Sequence, residues 1–407
     1  MDRVRTPLFA GPFRLLVLAH GFSSLAFFAF FGTVFAEATF EFGAGVTDLA
    51  IIGASLSVPF ILGSLLQGLV ADRWSPKWLS VLGYLGMAAA VPVAWAASSP
   101  LWLSASAFLV GGAFATIEPA RSSLTAFLVE ESELVRANGA MAVSFQLSLV
   151  LGSLGGGKLL EEFGAAAVYA AAFGVAVLPV GLALGLPDLR QRGERPGLSL
   201  VDLRAGGRTA RRHPELRIVL LVTGLGWALV NTFFILEPLF VKQTLHRGGD
   251  GLLYLWAAHG LGALLGAAAV IRTKRATGRE SALVCAGVAA VGTGTLLYAA
   301  VGDYGAALAA AGFMGVGFAL FFPPLLALIQ RVVSEEQRGR VTSVFVALQE
   351  TMGLVSSLAI LALGGLIVVR PTLVGSGVVL VTMGLLGLRA LSRIKQSAPR
   401  DDEPTDG

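Results

Sequence analysis

The chain has 407 residues, of which 55% are apolar and 14% charged, and its mean hydropathy is +0.76. A soluble domain is typically about 45–50% apolar and about 25% charged, so an ordinary water-soluble enzyme and a disordered chain are both excluded. The net charge of +4 is no nucleic-acid signal, because the basic residues sit between hydrophobic runs; Cys285, the single cysteine, can form neither an intrachain disulfide nor a paired-Cys metal site.

Twelve apolar runs follow one another at 14–37, 48–71, 77–97, 101–129, 138–160, 164–186, 217–240, 252–271, 280–301, 304–329, 341–367 and 371–391. Most can cross about 30 Å of hydrocarbon as helices. Transmembrane strands would show alternating polarity over about 10 residues, a pattern this chain lacks. The first run exceeds the h-region of a signal peptide and reads as a retained helix. With the N-terminus inside, all but four of the 30 Lys and Arg lie on inner segments or inner helix ends; Lys158, Lys242, Arg247 and Arg370 are the exceptions. This asymmetry predicts cytoplasmic N- and C-termini and an even number of spans.

The expected fold is therefore an all-α integral membrane protein of twelve helices in two six-helix halves. Residues 1–187 form the first half, 188–216 a cytoplasmic linker with room for one short surface helix, 217–396 the second half, and 397–407 a disordered tail. The halves look duplicated. VEESELVR at 129–136 returns as VSEEQRGR at 333–340, and each follows a proline-bearing helix. Halves related in this way meet around a central cavity near the membrane midplane.

Several motifs carry more than span length. At the inner end of the second run, Gly68, Asp72, Arg73 and Lys77 stand in GLVADRWSPK. Gly68 admits a neighbouring helix, Asp72 can face a helix N-terminus, and the bases hold a tight turn. In the fifth run, Gly139-x8-Ser148-x3-Gly152-Ser153-x2-Gly156-Gly157 sets small residues four apart, a face for close helix contact. The first motif resembles the loop between helices two and three of the major facilitator superfamily, G-x-x-x-D-R-x-x-[R]-[RK], with Pro76 replacing the first terminal base. There, resemblance implies a cytoplasmic latch between the halves. The second-half counterpart keeps Gly266, Lys274 and Arg275 but has Val270 and Ile271 for the acid and base. The fifth run is similar to the G-x8-G-x3-G-P-x2-G-G signature of the superfamily's proton-driven exporters, with Ser148 and Ser153 departing from it. Pro119-Ala120-Arg121, Arg136-Ala137-Asn138-Gly139, the linker phrase at 211–217 and Gln337 to Val341 resemble the branch holding macrolide-efflux proteins and the enterobactin exporter.

Ionisable groups inside spans are costly and mark function by default. Glu118 and Arg121 share a helix face, as a structural ion pair or as part of a transport pathway. Glu350 lies about nine residues, or about 13 Å, into the eleventh run, with no sequence neighbour to neutralise it. It is the candidate proton carrier, loading and releasing a proton as the cavity alternates. Gln146 is its repeat equivalent. Glu237 near the outer end of the seventh run reads first as part of a wet outer mouth and second as a pathway residue. His259 and His20 read as packing residues or as titrating ones. Glu37 is expected to be solvated. Phe27, Phe28, Phe30, Phe31, Phe321 and Phe322 line a greasy cavity, face lipid or pack in the core.

Gly152 to Lys158 imitates a phosphate loop, but Leu159 replaces the Ser/Thr and no strand precedes it. No metal or cofactor motif is found. By resemblance, the chain is expected to be a monomeric, proton-coupled exporter of an amphipathic small molecule, such as a drug, siderophore or lipid-like metabolite, in a bacterial plasma (inner) membrane. A facilitator or importer on the same fold is the alternative. An integral-membrane enzyme would need a nucleophile or metal set that the sequence does not show.

Overall fold

The computed structural model describes residues 11–71, 74–130, 133–188, 200–272 and 278–397. Thirteen α-helices account for most of them: α1 Pro12–Phe40, α2 Val46–Ala71, α3 Pro76–Trp95, α4 Pro100–Leu128, α5 Leu134–Phe163, α6 Ala165–Leu184, α7 Leu200–Arg212, α8 Pro214–Gln243, α9 Gly249–Arg272, α10 Glu280–Ala300, α11 Tyr304–Val332, α12 Glu335–Leu363 and α13 Val369–Ser397. All except the short α7 are long and apolar enough to cross a membrane, giving 12 candidate spans. Among the described residues there is no strand.

Helix is the open spanning element that satisfies its own backbone in hydrocarbon. The sequence supports it locally. Proline opens α1, α3, α4 and α8, where its missing N–H costs nothing. Asp303 caps α11 by accepting from the Ala306 N–H at 2.9 Å. Buried hydroxyls such as Thr33, Ser80 and Thr223 donate to the carbonyl four residues earlier, so they add no unmet polar group. The predicted runs overlap these helices closely. The largest shifts fall at the start of α12, at Glu335 rather than 341, and at the end of α13, at Ser397 rather than 391, because the polar stretches flanking those apolar runs are already helical.

Helix pairing repeats between the halves. In the first, α1 packs on α5 and α6, α2 on α4, and α3 on α4 and α6. In the second, α8 packs on α12 and α13, α9 on α11, and α10 on α11 and α13. The two seams between halves, α5 against α9 and α2 against α12, are exchanged by the same relation. Glycine sets the closest approaches: Gly111 of α4 abuts the Leu56 carbonyl of α2, and Gly315 of α11 abuts the His259 carbonyl of α9. A Cβ at either position would overlap backbone. Large apolar side chains such as Leu62, Leu101, Leu265 and Leu366 stay exposed around the bundle. That is the surface a lipid-facing protein presents.

An even number of crossings brings both ends of the bundle to one side, called here the terminal face; the other is the loop face. The linker helix α7 lies at the terminal face, where the Thr209 hydroxyl donates to Gln337 Oε1 of α12 at 3.0 Å.

Candidate functional site

Glu118 and Arg121 lie one turn apart in the half of α4 nearer the terminal face, and Arg121 Nη2 donates to Glu118 Oε2 at 2.5 Å. Their side chains keep 35% and 21% of their exposure respectively. His20 of α1 and Tyr84 of α3 are the pair's electrostatic neighbours. His20 also stacks on Phe145 of α5, with ring centroids 6.2 Å apart. The Tyr84 hydroxyl and Arg121 Nε are buried without a hydrogen-bond partner among the described residues. Groups of α1 and α3 thus lie beside an ion pair within α4, and His20 connects that neighbourhood to α5. Removing one member of such a pair costs more than removing both. Arg121→Gln is expected to lower the thermal unfolding midpoint of the purified protein more than the double change Glu118→Gln/Arg121→Gln. Equal or reversed loss would show that the pair does not hold these helices together.

Glu237 departs from the wet-mouth expectation. It is only 2% exposed, because Trp256 of the adjacent antiparallel α9 covers it and donates Nε1–H to Oε2 at 3.0 Å. Glu37 departs likewise: it is half-buried, and the Tyr169 hydroxyl of α6 donates to it at 2.5 Å. His259 is buried between Phe234 and Phe318, with centroids at 5.7 and 4.9 Å. Phe30 is core against Tyr169, and Phe27, Phe28 and Phe31 join Phe114 and Phe145 in one cluster between α1, α4 and α5. Phe321 is buried, whereas Phe322 is exposed.

Glu350 is part-buried in α12 and has no hydrogen-bond or ion-pair partner among the described residues. Gln146, its repeat equivalent on α5, is also part-buried and unpartnered among them. Next to Glu350, Gln349 is 7% exposed and its Nε2 finds no acceptor among the described residues. One turn further along, the Asn231 amide of α8 donates to the Gly353 carbonyl at 3.0 Å and to the hydroxyls of Ser356 and Ser357 at 2.7 and 3.3 Å. A Cβ built at Gly353 would sit 3.7 Å from Ser57 Oγ of α2 and 3.9 Å from Trp227 Nε1 of α8. This polar seam joins α2, α8 and α12, and sequence reasoning found only Glu350 in it. Asn231 in an apolar run and the Ser356–Ser357 pair were the available signals.

The loop face is sealed. Leu253 and Trp256 of α9 fill the space over Gly32 of α1, and Leu253 also packs over Gly156 of α5. Gly157 meets Tyr254, and Gly53 of α2 meets Ile235 and Ser357. Among the described residues two hydrogen bonds cross between halves here: Lys242 Nζ to the Thr39 carbonyl at 2.6 Å, and the Tyr254 hydroxyl to Glu161 Oε2 at 2.7 Å. The small residues of the fifth-run motif therefore build part of this seal. Gly152 packs α5 onto α1 at the Leu25 carbonyl, Gly156 and Gly157 meet α9, and Gly139 at the other end has open space around it. Ser153 is fully buried and its hydroxyl has no partner among the described residues.

At the terminal face of the second half, Arg331 of α11 bridges Glu215 of α8 at 3.1 Å and Glu280 of α10 at 3.2 Å, a clamp the charge count alone did not reveal. Asp72 and Arg73 of the GLVADRWSPK motif lie outside the described residues, as do Lys274 and Arg275 of its counterpart, and of Gly68 only the helical backbone is described. Lys77 is part-buried at the start of α3, with its ammonium 5.7 Å from the centre of the Trp78 ring.

Twelve candidate spans in two repeated helix-pairing patterns fit a membrane transporter. The chain belongs to the Major Facilitator Superfamily, which matches residues 16–357. Over 404 residues it is 26% identical to the uncharacterized MFS-type transporter YfiS of Bacillus subtilis (strain 168), covering 94% of each chain. Among solved structures, it resembles a bacterial homologue of the human lysosomal transporter Spinster, crystallised in an inward-facing and unoccupied conformation. That match has a TM-score of 0.73 and 13% identity, and covers 98% of this chain and 100% of the other. The nucleoside transporter NupG superposes with a TM-score of 0.72 at 11% identity, over 94% of this chain and 99% of its own. At such identities the likeness is one of fold.

Proposed function

We propose that this transporter exports amphipathic small molecules in exchange for protons, with Glu350 as the proton carrier and the terminal face toward the cytoplasm. The observation that carries the reading is the unpartnered Glu350 carboxyl on α12, a helix that forms one of the two seams between halves. A carboxylate left alone among apolar helices is expensive, and its neutralisation by a proton is a free-energy difference that can bias which face is open. The contacts between halves gathered at the loop face favour the terminal face as the side from which substrate enters in this conformation. The Lys/Arg asymmetry favours that face as the inner one. The exporter-like small-residue pattern of α5 contributes to the seal, which supports a gating role, and the phrases resembling the macrolide-efflux branch favour export. Gly68, Asp72, Arg73 and Lys77 form the cytoplasmic latch in this scheme, and the chain works as a monomer.

Ser153 in place of the signature proline leaves α5 without an internal proline kink. That specific departure keeps a facilitator or importer as the second reading. Flux in oriented membrane vesicles decides between them. Export predicts accumulation in inverted vesicles driven by an acid interior and lost when the pH gradient is collapsed. Uptake in right-side-out vesicles, or flux indifferent to the gradient, overturns the proposal.

A further inference from the structure

The two halves repeat one seam at the terminal face and charge it differently. From its start to Gly226, α8 leaves only Pro214, Arg217, Leu221 and Leu225 exposed, a single stripe at helical spacing. Val222 and Gly226, each one residue beyond a leucine of that stripe, meet α13. A Cβ built at Gly387 would lie 3.2 Å from Val222 Cγ2, and one at Gly226 would lie 3.4 Å from Leu380 Cδ2. These contacts set an antiparallel register. It puts Leu221 level with Leu386, and Arg217 level with the turn between Arg389 and Arg393. Leu386, Arg389 and Arg393 are exposed at i, i+3 and i+7, so they share one stripe of α13. Three guanidinium groups therefore sit at one rim of the seam, beside exposed leucines on both helices. Glu215, two residues before Arg217, is engaged by Arg331 of α11 and by the Ser281 hydroxyl of α10.

The first-half counterpart, α1 against α6, keeps half of this arrangement. Arg14 and Leu18 of α1 are exposed four residues apart, as Arg217 and Leu221 are. A Cβ at Gly185 would lie 3.2 Å from Leu15 Cδ1, so Arg14 is level with the end of α6. There the exposed Leu184 is followed by the exposed Asp188, and residues 165–188 include no base.

Arginines at the rim of an exposed apolar surface fit a phosphate that carries acyl chains. Guanidinium groups hold phosphate through paired N–H donors, and the leucines toward the midplane offer the chains an apolar wall. A soluble anion would use the arginines and leave the leucines idle. We infer that the α8–α13 seam binds an anionic phospholipid of the leaflet at the terminal face. Its phosphate lies on Arg217, Arg389 and Arg393, and its chains run along Leu221, Leu225 and Leu386. Both helices belong to the second half, so the lipid does not bridge the halves. The site is independent of the direction of transport and of what drives it.

Native mass spectrometry of the full chain, purified in detergent, tests this with three probes. Dioleoylphosphatidylglycerol is anionic, dioleoylphosphatidylcholine has the same chains and no net charge, and glycerol 3-phosphate has the phosphate without chains. Phosphatidylglycerol is retained, phosphatidylcholine binds at least about tenfold more weakly, and glycerol 3-phosphate displaces neither. Arg217→Gln and Arg389→Gln each weaken phosphatidylglycerol binding about fivefold. Arg217→Lys retains most of it, and Arg14→Gln in the first half changes nothing. An unchanged elution profile and melting midpoint identify the variants that fold. Equal retention of the two lipids overturns the inference, as does displacement by glycerol 3-phosphate, which marks a site for a free anion. Wild-type retention in a folded Arg217→Gln/Arg389→Gln protein overturns it too, and so does a loss in Arg14→Gln as large as in the second-half variants. Retention that appears only after deletion of residues 398–407 shows that Asp401, Asp402 and Glu403 cover the arginines in place of lipid, and it also overturns the inference.

Discussion

Glu350→Gln is expected to leave membrane insertion and the melting behaviour of the protein intact while abolishing transport driven by a pH gradient. The amide has nearly the same volume and can make the same neutral contacts, but it can neither take up nor release a proton. Coupling free energies between two sites are typically about 1–3 kcal/mol, or about 5–150-fold in affinity. Gradient-driven accumulation in vesicles should fall by a factor in that range, to the level set by passive exchange. Glu350→Asp, which keeps the charge but shortens its reach, should retain measurable coupling. Wild-type transport and wild-type proton dependence in the Gln variant would remove Glu350 from the mechanism. The next candidates would then be the Glu118–Arg121 pair and Glu237.

The second large effect is expected at Gly156. A Cβ there would already lie 2.8 Å from Leu253 Cδ2 and 3.0 Å from the Ala29 backbone, so Gly156→Leu wedges α5 away from α1 and α9. Overpacking of this kind costs about 1–3 kcal/mol, and each ~1.4 kcal/mol is tenfold in an equilibrium. Because the strain falls on the sealed arrangement, the population should move toward a state open at the loop face. An Ala36→Cys probe, placed where Ala36 packs under Gly249, reports this by its labelling with a membrane-impermeant maleimide. The native Cys285 is buried and contributes little background. Labelling should rise in the Gly156→Leu background. Unchanged labelling in a folded variant would mean that this contact does not govern the seal.

The spans were legible because bilayer thickness fixes their length, and little else in a chain this apolar competes with that signal. The Glu118–Arg121 contact was legible because three residues of helix bring two side chains together whatever surrounds them. Glu237 was misread for the complementary reason. Proximity to a helix end suggests water, but the Trp256 indole that covers it comes from the next helix, nineteen residues on, and its placement depends on how α8 and α9 cross. The Asn231, Ser356 and Ser357 contacts join positions more than 120 residues apart in sequence. No periodicity reports such a meeting. Gly156 could be read as a packing residue, but not as one packing against the opposite half, since that partner is set by the relation between halves.

Among the described residues the seal joins the halves through apolar contacts, the Lys242 ammonium over the Phe40 ring and two hydrogen bonds, one ending on a backbone carbonyl and the other starting from a phenol. Among the described residues no acid–base pair bridges the halves. Parting them at the loop face therefore separates no opposite full charges across oil. Mobile ions, which screen exposed charges beyond about 8 Å at physiological ionic strength, have little to act on there, so added salt should neither spring this gate nor jam it.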